Sequence, residues 1–193
     1  MAAPAKTGAR DRILAAAEEL ARCDGPAHLA LDAVAARAGM SKGGLLYHFP
    51  AKLDLLEALV NGHLARFEEE LSQKQRQCPE APDSLMRCYL EVFVAEHARH
   101  QPPPTGVLAA MVQNPELLAP IKRFKRQMLD RLKANAADER QALILFLALE
   151  GLRSLSMCNV DVFSEDEATT ALEALFAMVP EQGACDALPV RAG

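Results

Sequence analysis

The stretch GMSKGGLLYHF, Gly39 to Phe49, decides the fold. Gly39 ends a periodic segment at a point where a left-handed residue is often needed, and Ser41 can cap the next helix by accepting from the backbone of Gly43 or Gly44. Met40 and Leu45 stand at the two positions of a hydrophobic staple. The helix so begun carries Lys42, Gly43 and Gly44 in its first turn, although each glycine costs about 1 kcal/mol relative to alanine. A helix meant only to fold would not choose them. Glycine lets a backbone approach another surface closely, and at a helix N-terminus a fitting surface is a nucleic-acid backbone. Lys42, Tyr47 and His48 add a cation and two hydrogen-bonding rings. Ser41, Lys42, Gly43, Gly44, Tyr47 and His48 are therefore the DNA-contact candidates. The competing reading is a connector held by packing, with Tyr47 and His48 half-buried.

Just upstream, Leu31, Val34, Ala35 and Ala38 recur at helical spacing within Leu29 to Ala38. A short helix, a glycine turn and a second short helix make a helix-turn-helix. At these residues the chain resembles the N-terminal DNA-binding domain of TetR-type transcriptional repressors. The resemblance runs from about Arg10 to Leu59 and rests on Gly25, Val34-Ala35, Ala38-Gly39, Ser41-Lys42-Gly43, Tyr47-His48-Phe49 and Lys52. It departs at Ala30, where the family usually has a capping threonine or serine. It departs again at Leu46, where the family tends to place a phosphate-binding tyrosine that here stands next door as Tyr47. The resemblance implies an all-α, TetR-like chain of about nine helices: a three-helix DNA-binding domain followed by a helical ligand-binding and dimerisation domain.

Half of the 193 residues are apolar, no apolar run is long enough to span a bilayer, and the start MAAPAKTGAR lacks the apolar core of a signal peptide. A cytoplasmic location with no membrane partner is the expectation. Cys23, Cys78, Cys88, Cys158 and Cys185 are odd in number and contain no CxxC, so neither a disulfide framework nor a zinc site is signalled, and most read as small core residues. The net charge of −5 is unevenly spread: of 21 basic and 26 acidic residues the first 60 hold seven each, leaving 14 against 19 for the remainder. A neutral DNA-binding part lacks the basic patch of a strong non-specific binder, so two copies acting together are needed for tight binding.

Residues 1–8 read as a loose arm carrying Lys6. A first helix spans about Ala9 to Cys23, with Ile13, Leu14, Ala17, Leu20 and Ala21 on one stripe, and Asp24-Gly25-Pro26 ends it. Arg10 and Lys6 read as solvated charges within reach of flanking phosphates. After Pro50 a long helix begins near Ala51 and runs to about Gln75. Lys52 in its first turn opposes the helix dipole by about 0.3 to 1 kcal/mol, and a bound anion would reverse that sign. Lys52 is thus a phosphate-contact candidate, and the resemblance implies a contact at the same place. His63 lies on the apolar stripe of this helix and reads as a core histidine. Gln77 to Pro82, with two prolines, reads as a linker and boundary.

Everything beyond is helical in period. Asp83 or Ser84 starts a helix, Pro102-Pro103-Pro104 breaks the chain, and a short helix is expected from Thr105 to Gln113. Asn114 with Pro115 starts the next, and Asp138 with Gln141 and Ser164 with Glu167 form two capping-box patterns. Ala142 to Leu149 is apolar all round, which requires burial on all sides and most simply means a partner subunit. The last helix, Glu165 to Met178, can join that interface, and the resemblance implies a four-helix dimer contact from the last two helices of each subunit. The organisation expected is an arm at 1–8, a helix-turn-helix domain at 9–60, a ligand-binding and dimerisation domain at 61–179 and a disordered tail at 180–193.

The function expected is a homodimeric, ligand-responsive repressor that occupies a palindromic operator on double-stranded DNA until a small-molecule inducer binds. Met86, Met111 and Met128 with Phe93, Phe124 and Phe146 are adaptable apolar residues suited to an inducer pocket. Glu150, following eight apolar residues, would favour a lipophilic cation if it faces a cavity, with Arg153 as its alternative partner. Two other readings compete. One is a helical-bundle metal sensor or metalloenzyme using His97, His100, Glu96 and Cys88, though the paired Glu-x-x-His motifs of a di-iron bundle are absent. The other is a dimeric interaction protein that no longer binds DNA. No nucleophile-base pair, phosphate loop or cofactor motif is recognisable, so no enzyme activity and no cofactor are expected.

Overall fold

A computed structural model of the chain describes residues 8–23, 30–98, 114–157, 160 and 162–179. Among them there are eight α-helices and no strand: α1 (Ala9–Cys23), α2 (Leu31–Arg37), α3 (Lys42–His48), α4 (Lys52–Gln75), α5 (Ser84–Ala98), α6 (Leu118–Asn135), α7 (Glu139–Met157) and α8 (Glu165–Ala177). A 3-10 turn, Pro115–Leu117, precedes α6. The helix expected at 105–113, the arm before Gly8, Asp24-Gly25-Pro26 and the tail after 179 lie outside the described residues. No helix among the described residues is long and apolar enough to cross a membrane.

Packing divides the chain into two units, one drawn from Met1–Arg66 and Gln101–Phe124, the other from Phe67–His100 and Lys125–Gly193. The change falls inside α4, whereas Gln77 to Pro82 lies wholly within the second unit. The core of the first unit is the stripe that the periodicity selects: Ile13, Ala16, Ala17 and Leu20 from α1, Val34 and Ala35 from α2, Leu45 from α3, and Leu55, Leu56, Leu59 and Val60 from α4. Leu117 closes it. His63 is exposed and not a core histidine, because it sits at the edge of the α4 stripe while Leu64 and Phe67 turn inward.

In the second unit Leu71, Leu85, Met86, Tyr89, Leu90, Val92, Phe93, Met128, Leu132, Leu145 and Leu149 are buried. Asn135, the last residue of α6, anchors the start of α5: its side-chain oxygen accepts from Leu85 N–H at 2.8 Å and its side-chain amide donates to Ala81 C=O at 3.0 Å. Asp83 precedes α5 with φ 65°, a left-handed conformation costly for a residue with a Cβ, and its carboxylate accepts from Ala137 N–H at 3.1 Å. Of the two expected capping boxes, Ser164 and Glu167 form theirs completely. Asp138 accepts from Arg140 N–H at 2.8 Å, but Gln141 donates its amide to Met178 C=O, so that box is not closed. The Gln141 side chain is thus turned toward Met178, and its oxygen does not accept from the Asp138 N–H that the box requires.

Candidate functional site

The turn between α2 and α3 is built by a Schellman motif. Gly39 takes φ 68°, its N–H donates to Ala36 C=O at 3.1 Å, and Met40 N–H donates to Ala35 C=O at 3.0 Å. Ser41 then adopts an extended conformation and its hydroxyl accepts from Gly44 N–H at 3.1 Å. Leu45 is fully buried and Met40 packs on the same cluster, which completes the staple. With α3 rooted by Leu45 and Phe49, its other face is left to solvent.

That face carries the candidates. Ser41, Lys42 and Gly43 are exposed, Gly44 and His48 are half-buried, and Tyr47 is 85% exposed. The Tyr47 ring stands edge-on to His48, centroids 5.3 Å apart, while Leu46 is half-buried. Of the two neighbouring positions it is Tyr47 that offers a hydroxyl outward. A Cβ built on Gly43 would meet only Ser41 Oγ, at 4.0 Å, so nothing within the chain demands a glycine there. Lys52 is exposed in the first turn of α4, where the Asp54 carboxylate accepts from Ala51 N–H at 2.8 Å. The helix start is therefore already capped by an anion, and the Lys52 side chain has no ion-pair partner among the described residues.

Three acids of this unit are held in ion pairs. Glu18 pairs with Arg66 at 2.8 Å, Glu19 with Arg37 at 3.0 Å, and Asp32 with Lys42 at 2.9 Å, all at the surface. Exposed pairs of this kind are worth about 0 to 1 kcal/mol, so a phosphate can take Lys42 from Asp32 at small cost. The pairing of Asp32 with Lys42 is not legible in the sequence, because a spacing of ten residues carries no local signal. The Arg10 guanidinium lies over the Phe49 ring, 5.2 Å from its centroid. It is not a purely solvated charge.

The ligand candidates are distributed unevenly. Met86, Phe93 and Met128 are buried and Phe146 half-buried in the second unit, Phe124 belongs to the first, and Met111 lies outside the described residues. Glu150 is nearly buried and held on several sides: Tyr89 O–H donates to it at 2.8 Å, the Lys125 ammonium bonds to it, and Arg153 Nε is 3.7 Å away. Arg153 also pairs with Glu96 at 2.5 Å, and its guanidinium lies 5.1 Å from the centroids of both the Phe67 and Phe93 rings. Burial by itself would lower the Arg153 pKa, but Glu96, then Tyr89 and Glu150, outweigh it and raise it. Tyr89, Lys125 and Phe67 were invisible to sequence reasoning as site residues, since they meet Glu150 and Arg153 only through the fold.

A surface pocket of about 150 Å³ in the second unit is lined by Glu70, Gln73, Lys74, Gln77, Val92 and Ala95, none of them a ligand candidate. No three His, Cys, Asp or Glu residues gather at metal-binding distance among the described residues; the side chains of His97 and His100 lie outside them.

This geometry agrees with the relatives of the chain. Residues 13–59 match the family model of bacterial regulatory proteins of the tetR family, and residues 83–180 match the tetracyclin repressor-like C-terminal domain. The chain is 29% identical over 176 residues to the HTH-type transcriptional repressor BepR of Brucella suis, an alignment covering 88% of this chain and 76% of that one. It shares its fold with a transcriptional regulator from Rhodococcus sp. Rha1, with TM-score 0.69 and 20% identity over 89% of this chain and 96% of that one. The multidrug binding protein EbrR, solved with malachite green, superposes with TM-score 0.62 at 23% identity, covering 89% of this chain and 98% of that one. Two family models together spanning most of the helical chain, the second alone more than half of it, establish that it belongs to the TetR family of bacterial regulatory proteins.

Proposed function

We propose that this chain is a ligand-responsive transcriptional repressor that holds a palindromic operator as a homodimer and releases it when a small molecule enters the second unit. The observation that carries the DNA-binding half is α3: a short, Ser41-capped helix fixed by a Gly39 turn, with Lys42, Gly43 and Tyr47 all turned to solvent. Backbone N–H groups at its start suit phosphate, and Lys52 adds a second cation one element later. The similarity to a named repressor supports the same reading.

The homodimer is supported by α7, whose two faces are both apolar. Ala142, Leu145 and Leu149 are buried within the chain, while Leu143, Ile144 and Leu147 on the other side are exposed. A bare stripe of this kind marks an interface. Two short recognition helices per dimer would meet half-sites about one helical turn, roughly 34 to 36 Å, apart or a multiple of it.

The inducer is proposed to be a lipophilic cation. Glu150 and Glu96 set two carboxylates beside the rings of Phe67, Tyr89 and Phe93, and the position that an aromatic-bound cation would take is filled by the Arg153 guanidinium. A ligand cation would exchange with this side chain or with Lys125. The apolar share of the pocket falls to Met86, Phe93, Met128 and Phe146. A neighbour of the same fold holding malachite green is consistent with this class.

The test is a mobility-shift titration against the DNA upstream of its own gene at several salt concentrations, with Lys52→Ala alongside. Specific binding is expected, with a salt slope reduced by about one contact per subunit in the variant. Lipophilic cations should then release the DNA, and Glu150→Gln should weaken their effect more than that of neutral ligands. No specific complex with that DNA at low salt, from a folded dimer, would sink the repressor reading; equal loss for both ligand classes would remove Glu150 from the pocket.

A further inference from the structure

Two cysteines that carry no pattern in the sequence meet in the fold. Cys78 sits in the turn that follows α4, its N–H donating to Gln75 C=O at 3.2 Å, and Cys88 lies one turn into α5. Both are thiols, and their sulfurs are 3.3 Å apart. Cys88 is completely buried, whereas Cys78 is only half-buried. We propose that Cys78 and Cys88 form a redox-active dithiol that a hydroperoxide converts into an intramolecular disulfide, fastening the end of α4 to α5.

Geometry supplies three requirements of such a pair. The first is proximity held by rigid elements: Asn135 clamps the start of α5 through Leu85 and Ala81, so Cys88 is fixed, and only the end of α4 must yield for the sulfurs to close to the bond length of about 2.05 Å. The second is access for a small oxidant, which the half-buried Cys78 has and the buried Cys88 lacks; the 150 Å³ surface pocket, lined by Lys74, Gln77 and Val92, includes neither cysteine in its lining. The third is a division of labour, with an accessible sulfur to be oxidised first and a sheltered one to resolve it. The Lys74 ammonium bonds to Glu91 at 3.0 Å. Its pKa is raised chiefly by Glu91 and in smaller part by the two cysteines.

The chemistry balances on the two thiols and the peroxide alone. The Cys78 thiolate attacks the outer peroxide oxygen; the S–O bond forms, the O–O bond breaks, and the alkoxide leaves as alcohol after taking a proton. The Cys88 thiolate then attacks Cys78 Sγ, the S–S bond forms, the S–O bond breaks, and hydroxide leaves as water with the proton that Cys88 gave up. Two electrons from the dithiol reduce one hydroperoxide to an alcohol and water.

The proposal stands apart from the DNA-binding reading and is tested on the full-length reduced protein with one equivalent of cumene hydroperoxide. Expected is a mass loss of two hydrogens, disappearance of two alkylatable thiols, a peptide linking Cys78 to Cys88 after digestion, and full reversal by dithiothreitol. Cys78→Ser should form no internal disulfide and keep Cys88 alkylatable under denaturing conditions. Cys88→Ala, which keeps the accessible sulfur, should stop at a sulfenic acid that dimedone traps on Cys78. Both thiols still alkylatable after treatment, or a disulfide that instead involves Cys23, Cys158, Cys185 or a second chain, would overturn it.

Discussion

The Tyr89 hydroxyl donates to the Glu150 carboxylate across 2.8 Å, joining α5 to α7 between residues 61 positions apart. Burial first, and the neighbouring carboxylate second, push the Tyr89 pKa above its ordinary value of 10. A group whose folded pKa is raised stabilises fully below the unfolded pKa and loses that contribution as pH climbs toward the folded one. The stability of this unit should therefore fall above about pH 10. Tyr89→Phe should cost about 1.5 to 3 kcal/mol at pH 7, the range for a hydrogen bond to a charged group, and flatten the alkaline decline. Urea unfolding at pH 7 and pH 11 checks both; an alkaline decline as steep as the parent's would show that another group titrates there.

Gly43→Ala should separate folding from DNA binding. Its Cβ would meet only Ser41 Oγ at 4.0 Å, so the helix gains about 0.5 to 1 kcal/mol from losing a glycine. If the bare backbone is there to let phosphate approach α3, operator affinity falls even as the melting temperature rises. Gly44→Ala is less clean, because its Cβ would come within 3.4 Å of the same oxygen, which caps the helix. A Gly43→Ala protein that melts higher and binds DNA as before would leave the glycine without a role.

Much of the first unit was legible because its devices are local. Gly39, Ser41 and the Met40 and Leu45 staple act within ten residues, and each stands where its residue type demands. Ser164 and Glu167 are legible for the same reason. Contacts that define the second unit are not: Asn135 reaches back 54 and 50 residues to Ala81 and Leu85, and Arg153 reaches 57 to Glu96. Composition could mark Glu150 as a costly charge on an apolar helix, but not that Lys125 and Tyr89 had already satisfied it. Gln141 shows the limit from the other side, a capping residue in pattern whose amide is taken by Met178 C=O.

Ala30→Thr should raise stability by up to about 1 kcal/mol. Ala30 is the N-cap of α2, with φ −77° and ψ 136°, and no side chain satisfies the donors that follow it. Asp32 lies in the first turn, but its carboxylate is occupied by Lys42. A threonine hydroxyl at position 30 could accept from the second or third N–H of the helix without moving the backbone. Thermal unfolding measures the gain, and an unchanged or lower midpoint would mean that the donors are met by solvent at no cost.

The apolar outer stripe of α7 gives the last test. Leu147 is 69% exposed and lies one turn from Leu143, with Ile144 beside it, while Leu145 on the opposite side is buried. Burying such a leucine at a partner's surface is worth about 1.5 to 3 kcal/mol, and a carboxylate placed there would instead be desolvated without a cation waiting for it. Leu147→Glu should thus turn a dimer into a monomer in sedimentation at about ten micromolar, a change of at least one order of magnitude in the dissociation constant for each 1.4 kcal/mol lost. Within the monomer the substitution is on the surface, so its own unfolding midpoint should change little. Leu145→Glu provides the contrast, since a charge on the inner face should prevent folding at any concentration. Operator affinity should fall with the dimer, because one short recognition helix on a domain with no net charge cannot hold DNA alone. A Leu147→Glu protein that sediments as the parent does would place the subunit contact on some other surface.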